Sequence, residues 1–341
     1  MAKKATTKKS KSSKSMTRTR RSASIIPAET TLKYRLPGDG SDVYLDLMKD
    51  ISAVNRRGMN QGQVLRIAGI TLKQDSGVST EALQVTFKTM PLTWVAAQAY
   101  MKGRDAWMRQ QQRVRKETGQ NAIAPAYEDF KIFMDSGMAA STGSPPVFTN
   151  ILDTLTGDST VPVVAGEWDY SKLVYAEQPS EALRQPYLHM VGDDVGVTNV
   201  GLIKAYEESR ATVSPTVPNV PGDASTNIYA LLTGGQDEGA AKVVIDNMED
   251  DNDNPPYALN NYPGGDVNYA TQVDKCYVQT SSANPVVTTP SFDAMCGLVR
   301  IFSQGKDVTN GNDIPVPGTI LVHLVSGPKK GLLSMNVGDL V

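Results

Sequence analysis

Cysteine and histidine are scarce. Cys276, Cys296, His189 and His323 are the full supply in 341 residues. Two cysteines make no disulfide framework and suit a reducing compartment. A structural zinc site would have to recruit all four residues, and no CxxC-like pair supports one. Long apolar runs are missing too. None approaches the roughly 18 residues of a spanning helix, and no apolar stretch follows the charged N-terminus as a secretory signal requires. The expectation is a chain with no membrane partner. Finally, no acidic residue precedes Glu29.

That last absence leads to what is present. Nine of the 34 basic residues fall within 1–28: Lys3, Lys4, Lys8, Lys9, Lys11, Lys14, Arg18, Arg20 and Arg21. The other 25 face all 36 acids, so the rest of the chain carries about −11 while the whole carries −2. Residues 1–24 are almost wholly Lys, Arg, Ser, Thr and Ala. Such a segment repels itself, has nothing to bury and cannot offset its own ordering entropy. The expected organisation is a disordered basic arm over 1–28 and one folded domain over 29–341. Lys and Arg interleaved with Ser and Thr neutralise phosphates without reading bases, and the arm has no aromatic to stack on them. A nuclear import signal is the ordinary alternative, and both roles fit one segment.

The body reads as β-rich with a few helices. Thr31–Leu36 alternates as a strand and ends in Pro37-Gly38-Asp39-Gly40, a turn signal. Val43–Leu47 begins as a strand, yet Val43, Leu47, Ile51 and Val54 also share a helix face. Val64–Leu72 and Ala82–Phe87 read as strands. Thr93 to Thr118 is the clearest helix, capped by Thr93 and stopped by Gly119, with Trp94, Ala97, Met101 and Met108 near one face. Its second half is basic through Lys102, Arg104, Arg109, Arg113, Arg115 and Lys116. That is either a solvated helix face or a second polyanion contact. Short apolar segments follow at 161–164, 172–175, 187–191, 197–203, 276–279, 297–302 and 319–325. Pro215, Pro218 and Pro221 mark a stiff connection or an SH3-type ligand. Many short strands, decorated loops, no βα alternation and no fixed repeat predict an all-β sandwich or jelly roll with helical insertions.

The remaining motifs divide between chemistry and turns. Gly192-Asp193-Asp194 between two apolar segments has the form of a polymerase metal hairpin. It is equally a turn, and the chain lacks a convincing second Asp motif. Ser326-Gly-Pro-Lys-Lys-Gly331 lacks the order of a phosphate loop and reads as a turn. No G-x-S-x-G elbow marks a nucleophile, although a Ser/His/Asp triad is compositionally open. The reading is not an enzyme. Asp250, Asp251 and Asp253, in Glu249–Tyr257, offer oxygens suited to Ca²⁺, with missing ligands expected on a neighbouring subunit. A solvated acidic loop is the plainer account.

A basic arm ahead of Val43-Tyr-Leu-Asp-Leu47, Val54-Asn-Arg-Arg57, Gly62, Val64–Leu72, Glu167-Trp-Asp-Tyr-Ser171, Leu188-His-Met-Val-Gly192 and Asp251-Asn-Asp-Asn-Pro-Pro-Tyr257 resembles the capsid proteins of circular Rep-encoding single-stranded DNA (CRESS-DNA) viruses. The similarity covers roughly 40–265. It implies a viral jelly roll, self-assembly of 60 or more copies into an icosahedral shell, residence in the virion and, during assembly, the host nucleus. It also implies an internal arm on the single-stranded genome. This arm has no Arg-only block, so Arg113, Arg115 and Lys116 join the expected contact. The rival is a non-viral, tail-bearing nucleic-acid-binding protein that forms no particles.

Overall fold

The computed structural model describes residues 27–75, 80–119, 129–140, 168–176, 183–192, 198–208, 270–281 and 283–340. The chain begins with β1 (Thr31–Leu36), β2 (Asp39–Asp46), α1 (Leu47–Asn55), β3 (Gln63–Gln74) and β4 (Glu81–Thr89). Next come α2 (Trp94–Glu117), α3 (Ser136–Ala140), β5 (Tyr175–Ala176), β6 (Leu183–Arg184), β7 (Tyr187–His189), β8 (Asn199–Gly201) and α4 (Leu202–Glu208). The C-terminal part supplies β9 (Val273–Gln279), β10 (Val286–Thr288), β11 (Phe292–Met295), β12 (Leu298–Asp307) and β13 (Gly318–Leu324). It closes with β14 (Ser326–Gly327), β15 (Gly331–Leu332), β16 (Ser334–Asn336) and a 3₁₀ turn at Val337–Leu340.

Two antiparallel sheets make a sandwich. One runs β1-β13-β3-β10, with β11 and β16 also paired to β3; the other runs β2-β12-β4-β9. Alternation sets the facing. In β1, Leu32, Tyr34 and Leu36 are buried while Lys33 and Arg35 are exposed. Ile320 and Val322 of β13, Leu65 and Ile67 of β3, Val85 and Phe87 of β4, and Val299 and Ile301 of β12 join them in one core. β10 and β11 act as one strand broken at Pro290, which has no N–H for the ladder. Counted so, and with β14–β16 as a C-terminal addition, strands pair from the outside inward: β1 with β13, β2 with β12, β3 with β10/β11, and β4 with β9. The turn between β1 and β2 requires Gly38. Its φ is +67°, and a Cβ would stand 1.8 Å from the Val316 carbonyl oxygen.

The ambiguity at Val43–Leu47 resolves into both elements, a strand to Asp46 and a helix from Leu47. The stretch over 197–203, read as one apolar segment, divides between β8 and the start of α4. In α2 the cap is as expected, the Ala96 N–H donating to Thr93 Oγ1 at 3.2 Å. The expected apolar face holds in part: Ala97 is buried and Met108 packs against the second core. Trp94 and Met101 are 49% and 38% exposed, while Ala96, Tyr100, Gly103 and Trp107 are buried. Small residues let α2 approach closely. A Cβ on Gly103 would meet the Leu202 side chain of α4 at 3.0 Å, so this close approach needs glycine. Here Tyr100 donates to the Phe130 carbonyl at 3.2 Å, within a second core beside the sandwich.

A polar network joins the two cores. Asp46 is buried and caps α1, accepting from the Lys49 N–H at 3.1 Å. Its Oδ2 accepts from Gln61 Nε2 (3.2 Å), Trp168 Nε1 (3.0 Å) and Tyr170 Oη (3.1 Å). One turn on, Asp50 accepts from Tyr34 Oη at 2.7 Å. Burial, reinforced by the Asp46 charge, pushes the Asp50 carboxyl up from 3.8 to about 7 against the pull of the Tyr34 hydrogen bond. Burial raises Asp46 as well, against its donors. A carboxyl with a raised folded pKa binds its proton more tightly in the native state. Its contribution is therefore complete below the unfolded pKa and is lost as pH rises through the folded one. Unfolding free energy should fall between about pH 4 and about pH 7, by up to about 4 kcal/mol from Asp50. Asp50→Asn should remove most of that fall. Denaturant titrations across this range check it; equal slopes in both proteins would refute it.

Candidate nucleic-acid interface

The arm cations Lys3 to Arg21 and the acidic-loop residues Asp250, Asp251 and Asp253 lie outside the described residues. So do Asp193, Asp194 and the proline run at 215–221. The described basic features are α2, the outer face of the first sheet and the place where the arm joins the body.

The first half of α2 packs on the second core, and from Arg109 onward none of its residues is buried. At 100° per residue, Lys102, Arg109, Arg113 and Lys116 fall within roughly 60° of one another, along about 21 Å of helix. All four are exposed. Arg113 Nε contacts Glu117 Oε1 at 3.0 Å, with the two side chains 81% and 64% exposed. Such an open i,i+4 pair is worth only about 0.3–0.5 kcal/mol and yields readily to a polyanion. Arg115 lies on the opposite side and is half-buried. Of the three cations expected here, Arg113 and Lys116 therefore share a face, and Arg115 does not. Of the six cations read from the sequence as a basic half-helix, Lys102 and Arg109 are their companions on this face, as the seven-residue step from 102 to 109 signals. Gln110 seats the helix by accepting from the Val174 N–H at 3.1 Å and donating to the Val174 carbonyl.

At the arm's exit, Arg57 Nη1 donates to the Pro27 carbonyl at 2.9 Å. Glu29 and Asn55 exchange two hydrogen bonds, Glu29 N–H to Asn55 Oδ1 (2.8 Å) and Asn55 Nδ2 to the Glu29 carbonyl (3.1 Å). From there β1 carries Lys33 and Arg35 on the outer face, and Lys73 stands in the Arg35 row across Thr319.

The other motifs settle as structure. β7 and β8, which flank Gly192, run parallel, so the hairpin needed by a polymerase-type carboxylate pair is not formed by them. His189 is buried with Nδ1 2.9 Å from the Val191 carbonyl, and His323 Nε2 lies 3.2 Å from Thr71 Oγ1. Ser326–Gly331 forms a tight turn between β14 and β15. Three stretches that carried the family resemblance meet on one network: Asp46 of Val43–Leu47, Gln61 beside Gly62, and Trp168 with Tyr170. Sequence reading missed Asp46 because no local pattern announces a buried carboxylate whose donors lie up to 124 residues away. No family model, curated protein or solved structure matches the chain.

Proposed function

We propose that this chain is a viral capsid protein whose body assembles with copies of itself into a closed shell and whose basic arm holds single-stranded genomic nucleic acid. The strand order carries the reading. The order over sheets β1-β13-β3-β10 and β2-β12-β4-β9, paired outermost with outermost and inward, supports a jelly roll, an architecture of viral capsid and lectin domains and cupins. The basic arm separates the capsid reading from the other two: nine cations without an acid precede an acidic body. Inside a closed volume the genome's phosphates repel one another, and a cationic arm screens them. The exposed stripe on α2 supplies further contact. Subunits repeat around closed symmetry, so one self-complementary set of edges and loops suffices for the whole shell. The reading places the protein in the virion, and in the host nucleus while shells form.

Size-exclusion chromatography with negative-stain imaging tests it. Closed particles of uniform diameter are expected from the purified chain with single-stranded DNA. Monomers or dimers that bind the strand at every concentration tried would favour the tail-bearing nucleic-acid-binding protein and overturn the shell.

A further inference from the structure

We propose that Arg56, Arg57, Lys329 and Lys330 form a second phosphate-binding site, a collar around the root of the arm, which takes the backbone of the strand that the arm holds. The proposal rests on the arm's being the nucleic-acid-binding segment.

Two turns of the same composition meet there. Arg56-Arg57-Gly58 follows α1, and Lys329-Lys330-Gly331 joins β14 to β15. They are tied together across the whole chain. Arg57 Nη1 donates to the Lys330 carbonyl at 3.4 Å, and Lys330 Nζ donates to the Gly58 carbonyl. The same guanidinium grips the Pro27 carbonyl, so the first described residue of the body lies against the joined turns. Arg56 and Lys330 are exposed. Lys329 Nζ meets only the neutral Asn336 Oδ1, at 2.6 Å. None of the four forms an ion pair with another described residue. The nearby carboxylate of Glu29 accepts from the Thr31 N–H at 3.1 Å. Cations on two joined turns that form no ion pair among the described residues repel one another, a cost that an anion from outside removes.

Backbone conformation gives an independent observation. Among the described residues, only Arg56 (φ +50°), Lys330 (φ +55°) and Cys296 (φ +57°) are non-glycine residues in the left-handed region. Two of the three are in the collar. Arg56 is the left-handed cap of α1, with its N–H donating to the Ser52 carbonyl, a position that glycine ordinarily fills. Each turn places a glycine within two residues of a strained cation. A chain shaped only for stability would put glycine at the strained position itself. Keeping a long cation there marks a site that is maintained for its charge.

Full-length chain is titrated with fluorescein-labelled oligothymidylate at several salt concentrations. Each lost phosphate contact shallows the log–log slope by about 0.7. The double variant Arg56→Gln/Lys329→Gln should therefore lose about 1.4. Lys88→Gln/Lys306→Gln removes two cations already paired to Asp274 and Asp313 and should leave the slope unchanged. Arg56→Gly separates charge from fold. It should raise Tm by about 2–4 °C by relieving the left-handed cap, while losing about 0.7 of slope. Unchanged slopes in both collar variants, with arm removal still effective, overturn the collar alone. A lower Tm in Arg56→Gly overturns the strain argument. No binding by the unmodified chain overturns the arm and the collar together.

Discussion

Removing residues 1–24 should leave the body folded and able to assemble, and sharply lower the nucleic acid recovered in its particles. The described cores draw on residues from Leu32 onward, while the removed segment holds nine of 34 cations. For single strands each neutralised phosphate contributes roughly −0.7 to the log–log dependence of affinity on salt. Nine contacts would give about −6, and partial engagement of the arm about −3 to −6. Arm removal should flatten the slope by that amount and leave a remainder of about −3 if the four α2 cations engage, with about −3 more from the four collar cations if they all engage. Geometry refines the helix test. Replacing Arg113, Arg115 and Lys116 with Gln should remove about 1.4 from the slope, and not the 2.1 or so of three contacts, because Arg115 faces away. Strands of native and scrambled sequence should bind alike, since phosphate contacts carry no base information. Comparable A260/A280 in particles with and without the arm would refute the packaging role. A strong preference for one sequence would show that bases are being read.

What the sequence revealed and what it hid follow from the range of each signal. Thr31–Leu36 was legible to the residue because alternation is local and Pro37-Gly38 ends it. The caps of α2 were legible for the same reason. Which strands pair was not. Thr31 lies against His323, and no local pattern encodes a partner almost 300 positions away. The buried face of α2 was read only in part, through Ala97 and Met108, because hydropathy favours Met101 while close packing favours Gly103. The parallel run of β7 and β8 was missed because two apolar segments around a turn signal look like a hairpin until both ends are placed. For the interface, composition exposed the arm at once. Ser326–Gly331 read as a turn and Arg56-Arg57 stood only within Val54-Asn-Arg-Arg57, and only the fold makes the two pairs of cations neighbours.

Asp46→Ala should be the most damaging single change in the described body. One carboxylate receives the Lys49 N–H, Gln61 Nε2, Trp168 Nε1 and Tyr170 Oη, and Ala leaves all four donors without it. Gln61 keeps its bond to the Ile132 carbonyl at 3.0 Å, so the loss falls mainly on the Trp168 and Tyr170 donors and the α1 cap. Unpaired buried donors cost about 1–3 kcal/mol each and a lost cap about 1 kcal/mol. A destabilisation of roughly 3–5 kcal/mol is expected, lowering Tm by roughly 10 °C or more. Asp46→Asn is the sharper control. It preserves volume and one acceptor, but its amide must present N–H either to the Lys49 N–H or to the three side-chain donors. It should therefore fall between wild type and Ala. The damage should also be local before it is global. Residues 168–174 hold both Asp46, through Trp168 and Tyr170, and α2, through Val174 and Gln110. Amide exchange should rise first across 168–174, and then in the part of α2 around Gln110. Thermal melts and exchange measured on both variants decide the matter. A loss below about 1 kcal/mol for Asp46→Ala would mean that the four donors find water as readily as the carboxylate, and that the network is not what joins the two cores.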